Sequence, residues 1–241
     1  MSKYIMVGAD VHDKTMLLKI AAVKAQLRML LKRADLRRPA CTGKGWTRAF
    51  RAWLLGTATS RQSAGHGIRT ALASLLRQLA ALEAEVGVLD EQVEGLAGTL
   101  RYAEPAHALM KIPGVGLLTA MVFLAEMGNL DRFGNRRHVG AYLGLTPSSH
   151  ESGDSGERKG HITHQGPWRV RRVLCQATWA RVRTDSGEKS FYRRVADRNP
   201  GHAKIAVVGS MRRLAVLMWH IGREAQDRGA CFADAAQVAA A

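Results

Sequence analysis

Apolar positions along the first third of the chain change their period. From Tyr4 to Val11 they form a tight run that ends in Asp10 and Val11, the pattern of a buried strand. A turn at "DVHDKT" and a second short run, "MLLKI", follow, which predicts a β-hairpin over Lys3–Ile20. From Ala21 to Arg33 the spacing becomes helical, with Leu27, Leu30 and Leu31 on one face and Lys24, Arg28, Lys32 and Arg33 around it. "GKGWTRAFRAWLLG" predicts a short helix with Trp46, Phe50, Trp53 and Leu54 on one side, an aromatic stripe that suits a core although basic residues interleave it. Between Ala71 and Leu96, apolar residues at Leu72, Leu75, Leu79, Leu82, Val86, Leu89, Val93 and Leu96 recur at alternating steps of three and four. That seam predicts a coiled-coil arm, formed either with a second copy or as an intramolecular hairpin with the basic helix before it.

After Pro105 the composition shifts to glycine-rich loops between short helices and closes on a long amphipathic stretch from His202 to about Arg228. The expected organisation is therefore a hairpin over residues 1–20, basic helices and a coiled-coil arm over 21–104, a helical domain over 105–228 and a flexible tail over 229–241. The fold class expected is mainly α, with an all-helical C-terminal domain.

Charge narrows the partners. The 36 Lys and Arg against 20 Asp and Glu give +16, which favours a polyanion because each neutralised phosphate releases counterions. Cys41, Cys175 and Cys231 lie far apart without metal-ligand spacing, so neither a disulfide framework nor a zinc site is indicated. No apolar run resembles a membrane span and no signal-peptide pattern opens the chain, so the expectation is a cytoplasmic, nucleoid-associated protein.

Three stretches offer chemistry. "IPGVGLLTA", Ile112–Ala120, places Gly114 and Gly116 in the pattern of a helix-hairpin-helix, whose second helix would present free backbone N–H groups to a DNA phosphate; the same hairpin can serve as packing alone. "GLTPSSHESGDSGERKGHITHQGPWRVRRVL", Gly144–Leu174, sets a Ser/Gly-rich loop with Lys159 against a helix carrying Arg169, Arg171 and Arg172. A loop of hydroxyls beside arginines suits a phosphate site with a serine nucleophile, and it equally suits a plain loop. Asp10, at the end of the first apolar run, stands where a nuclease fold holds a divalent metal or where a turn is capped; Asp13 follows in the turn.

Taken in order, "VGADVHDKT", the helical arm, "IPGVGLLTAMVFLAEMGNLDRF", "RRHVGAYLGLTPSSHESG", "GHITHQGPWRVRRVL" and "MRRLAVLMWHIGRE" resemble transposases of the insertion sequence 110 type, which are related to the Piv DNA invertases. The resemblance implies an N-terminal RuvC-like α/β domain with four acids in a DEDD set, a coiled-coil arm and a C-terminal domain with a nucleophilic serine. It further implies DNA cleavage and strand exchange through a serine–DNA intermediate, with Mg²⁺ on the acids and a structured guide RNA from the element; a homo-oligomer through the coiled coil is the expectation that the heptad seam gives. On this chain the first acid and metal ligand corresponds to Asp10 and the serine to Ser152, with Ser149 as the second candidate. The other three acids belong between the first strand and the basic helix, yet the chain runs from Ile20 straight into Ala21, without roughly a hundred residues of sheet domain. The expectation is a truncated, catalytically impaired transposase, or else a noncatalytic DNA-binding module that pairs with an intact one.

Overall fold

The computed structural model describes residues 2–60, 64–150, 158–198 and 200–239. They divide into two compact units, one of residues 11–92 and one of residues 93–241 together with 1–10. The division falls inside a helix, between Gln92 and Val93.

The smaller unit is built from α1 (Ser2–Arg33) from Val11 onward, α2 (Arg48–Thr59) and α3 (His66–Ala97) up to Gln92. The β-hairpin expected over Lys3–Ile20 is not formed, because this segment is the first part of α1. A lone two-stranded ribbon leaves backbone groups unpaired along both edges, whereas a helix satisfies them within itself. In the packed helix, Ile20 and Val23 extend the buried stripe of Leu27 and Leu31 by steps of helical period. α1 stops at a left-handed residue, Asp35 (φ 48°). There the Leu36 N–H reaches the Leu31 carbonyl at 3.0 Å and the Asp35 N–H reaches the Lys32 carbonyl at 3.3 Å. This is the paired closure that satisfies the last carbonyls of a helix, with Leu36 packed on the same cluster as Leu31.

Thr47 caps α2 by accepting from the Phe50 N–H (3.2 Å), and the stripe behind it is core: Trp46 meets Phe50 edge-on and Phe50 stacks on Trp53. Leu72 and Leu79 of the heptad seam are buried against α1 and α2, with Leu75, Leu82 and Val86 half-buried beside them. In this unit the first half of the seam therefore packs within the chain.

The larger unit contains α4 (Ala103–Met110), α5 (Leu117–Met127), α6 (Arg136–Tyr142), the strands β1 (Pro147–His150) and β2 (Arg158–Ile162), and then α7 (Trp168–Thr184), α8 (Ser186–Ala196) and α9 (Ala203–Ala239). An all-helical domain was expected, but β1 and β2 pair antiparallel with a bulge between Pro147 and Ser149. A connection as long as the one from α6 to α7 rarely stays without secondary structure, and pairing satisfies its backbone.

α5 is buried on every side from Ala120 to Met127 and packs between α4 and α7. α9 is the spine of the unit, with α4, α6, α7 and α8 laid against it. Its Trp219 indole N–H donates to the Leu130 carbonyl (2.9 Å), while Gln226 accepts from the Leu130 N–H and donates to the Gly128 carbonyl, which pins the turn after α5. Contrary to expectation, Ala203–Arg228 of α9 has the length and apolarity of a membrane span. Its apolar side is occupied by the core, where Ala206, Leu214, Ala215, Met218 and Trp219 are buried.

Candidate nucleic-acid site

The paired strands rise from a base made of backbone packed on backbone. Gly144 (φ 62°) ends α6 and Gly166 (φ 87°) leads into α7, and both lie in the left-handed region. A Cβ on Gly144 would collide with Gln165, and one on Gly166 would collide with the Tyr142 carbonyl, so only glycine lets the two chain segments close. Arg171 sits under this closure. Its Nη1 donates to the carbonyls of Leu143 (3.1 Å), Gln165 (3.1 Å) and Gly166 (3.2 Å), tying both feet of the hairpin to α7. Burial among these groups pulls the Arg171 pKa below its ordinary value. Further up, the Thr163 N–H bonds the Thr146 carbonyl (3.0 Å) and the Ser148 hydroxyl donates to the His161 carbonyl (2.8 Å).

β1 and β2 flank residues 151–157, so Ser152 lies outside the described residues. Ser149 and Lys159 face each other in the register of the two strands. Arg169, in the first turn of α7, reaches back to α5, where its Nη1 meets Glu126 Oε1 at 3.2 Å. Its guanidinium and that of Arg172 both lie beside the half-exposed ring of Trp168, at 5.4 and 5.8 Å from its centre. The three arginines that the sequence places on this helix thus have different neighbours: Arg171 holds the hairpin, Arg169 ties α7 to α5, and Arg172 flanks the aromatic ring.

The glycine hairpin also packs on α7. Gly114 (φ 85°) has no room for a side chain, because a Cβ there would lie 2.7 Å from the Ala177 carbonyl and 2.9 Å from the Arg181 amide nitrogen. Gly116 is the residue before α5, with open space around it and no side chain capping the helix, so the first amides of α5 remain open. Below, Asp185 caps α8 through the N–H groups of Gly187 and Glu188; these bonds, together with Arg181, hold its carboxyl below the usual range.

Asp10 and Asp13 fall within α1, and their side chains lie outside the described residues. Among the described residues no three His, Cys, Asp or Glu side chains converge, so no described donor set fits Mg²⁺. Cys41 and Cys175 are free thiols. What sequence reading missed is the base of the hairpin: the glycines of "LGL" and "QGP" were visible, but their meeting across the loop is a tertiary event.

Residues 106–193, which run from α4 into α8 and include the glycine hairpin, both strands and α7, match the model of the transposase IS116/IS110/IS902 family. The chain is 28% identical over 146 residues to the insertion element IS110 43.6 kDa protein of Streptomyces coelicolor, covering 60% of this chain and 35% of that one. It is 26% identical over 155 residues to the transposase for insertion sequence element IS1111A of Coxiella burnetii, covering 63% of this chain and 41% of that one. It is likewise 26% identical over 138 residues to the pilin gene-inverting protein of Moraxella bovis, covering 56% of this chain and 42% of that one. The matches thus span less than half the length of these relatives. The matched segment coincides with the helices and strands that build the site, and over these residues the chain is similar to the transposase IS116/IS110/IS902 family.

Proposed function

We propose that this chain is a DNA-acting recombinase in which Ser152 attacks a phosphodiester. The Ser152 Oγ–P bond forms as one P–O bond of the strand breaks; the serine gives up its proton and the departing strand oxygen takes one up. Attack by a strand hydroxyl on the serine ester reverses the step and rejoins DNA, so one ester is exchanged for another and no oxidant or nucleotide is consumed. The observation that carries the reading is the anchored hairpin. Arg171 and the Gly144–Gly166 closure hold both feet of the segment containing Ser152 on α7, as positioning a nucleophile requires. Around it, the amides after Gly114 and Gly116, together with Lys159, Arg169 and Arg172, would meet strand phosphates, and Arg171 would act through the hairpin. The full reading includes a structured RNA of the element and assembly of copies through α3.

A second reading is favoured by α1. Ile20 and Ala21, between which the resemblance places a sheet domain, are consecutive residues of one continuous helix. On this reading the chain is a noncatalytic DNA-binding module that pairs with an intact transposase, and no step passes through Mg²⁺ held by Asp10.

The two readings separate in one experiment. The protein is incubated with the junction DNA of its element, the adjoining noncoding RNA and Mg²⁺, and denaturing gels are searched for a protein–DNA adduct. An adduct lost in Ser152→Ala establishes the nucleophile. Salt-sensitive DNA binding without an adduct leaves the binding module.

A further inference from the structure

Away from the hairpin base, at the other end of α6, a groove of about 450 Å³ opens against α9. Its basic lining is Arg136 from the start of α6 and Arg212, Arg213 and His220 from α9; Val216 and Leu217 also line it, and no carboxylate is among the lining residues. The nearest ion pair belongs to Arg213, whose Nε lies 3.9 Å from the buried carboxylate of Glu188 and whose guanidinium rests 4.1 Å from the Phe191 ring centre. Among the described residues no carboxylate pairs with Arg136 or Arg212. Gly140 shapes the groove. A Cβ on Gly140 would lie 2.9 Å from Arg212 Nε and 3.4 Å from its Cζ, so the missing side chain is the space in which the Arg212 guanidinium lies across α6. At Gly209, also in the lining, a Cβ would meet the Phe191 ring at ordinary contact distance, 3.6 Å.

Three guanidiniums, of which among the described residues only Arg213 has a carboxylate partner, and an imidazole converging on an open groove lined by no carboxylate form a site for a multiply charged anion, and planar guanidinium forks match phosphate oxygens. We propose that Arg136, Arg212, Arg213 and His220 seat the phosphodiester backbone of a nucleic-acid strand. The inference rests on the proposed reading that this domain acts on nucleic acid, and deepens it by adding a second contact. α6 is about 10 Å long, so the groove lies roughly that far from the foot of the serine hairpin along the helix. A strand held in the groove is therefore within a few nucleotides of the hairpin.

The test is fluorescence anisotropy of a labelled DNA duplex and of a labelled single-stranded RNA titrated with the full chain over a salt series. Arg136→Glu places a carboxylate in the first turn of a helix, which the helix tolerates well, so loss of binding would not reflect unfolding. Gly140→Ala favours the helix intrinsically while its Cβ pushes Arg212 aside. Arg101→Glu, before α4 and outside the groove, makes the same change in net charge as Arg136→Glu. Arg136→Glu is expected to weaken binding about tenfold and to lower the slope of log affinity against log salt by about one. Gly140→Ala is expected to weaken it severalfold at unchanged thermal stability, and Arg101→Glu to have little effect. Loss confined to the duplex identifies DNA as the strand in the groove; loss confined to the RNA identifies RNA. Wild-type binding that all three variants match, or a loss as large in Arg101→Glu, overturns the seat and leaves the functional reading standing. Absence of wild-type binding to either nucleic acid overturns both.

Discussion

Arg171 shows how little a residue's type says about its task. In sequence it stands in a run of three arginines facing a serine loop, yet its Nη1 is taken up by three carbonyls at the hairpin base. Removing it leaves three acceptors without their donor at a partly buried closure. Arg171→Ala is accordingly expected to lower unfolding free energy by about 2 kcal/mol in urea titrations, with Arg171→Lys recovering only part, since an ammonium cannot copy the reach of the guanidinium fork. Wild-type stability in Arg171→Ala would show that the glycine closure holds the hairpin unaided. The neighbours of Arg171 were legible as a basic helix because helical period is local. Which arginine turns inward was not, because that depends on where the carbonyls of Leu143, Gln165 and Gly166 arrive.

At the scale of elements, the smaller unit is joined by one carboxylate shared among three helices. Glu83 of α3 takes a two-pronged bond from Arg51 of α2 (2.7 and 2.8 Å) and lies 3.4 Å from Lys24 of α1. Burial raises its pKa, but the hydrogen bonds and charges of Arg51 and Lys24 outweigh this and leave it below the ordinary value. A carboxyl depressed in the folded state adds stability that is complete above its unfolded pKa and is lost as pH falls through its folded one. The wild-type unit is therefore expected to lose stability progressively as pH drops below about 4.5, the ordinary glutamate value. Glu83→Gln is expected to be about 1 kcal/mol less stable at neutral pH and to show a flatter acid limb in urea melts across pH. Parallel acid limbs in the two proteins would refute the role of this pair. The heptad that places Glu83 could be read directly, as could the aromatic stripe of α2. The strand pattern before Ile20 misled, because a short apolar run does not distinguish strand from buried helix without knowing what it packs on.

At the scale of the molecule, the two units have separate cores. Leu27, Phe50, Leu54 and Leu72 fill one; the other holds α5 and the inner face of α9, with Leu174 of α7 among its fully buried residues. Leu27→Ala removes a fully buried side chain from the first core, at a cost of about 2–5 kcal/mol. In differential scanning calorimetry it is expected to shift one unfolding transition to lower temperature and to leave the transition that Leu174→Ala shifts in place. A single transition displaced equally by either variant would mean that the units unfold as one.

The amino-acid sequence by itself determined the helical character of most of the chain, the heptad spacing, the glycine pair before α5, the basic balance and the family resemblance. Each of these is written in residue types at short spacing, where period and propensity act locally. Tertiary structure alone decided that residues 2–33 form one helix and that the Ser/Gly-rich loop stands on paired strands. It also decided that Arg171 serves the hairpin base and that Arg136 meets Arg212, Arg213 and His220 across a groove. Those outcomes depend on which surfaces meet, and the partners are separated along the chain by distances that no local pattern spans.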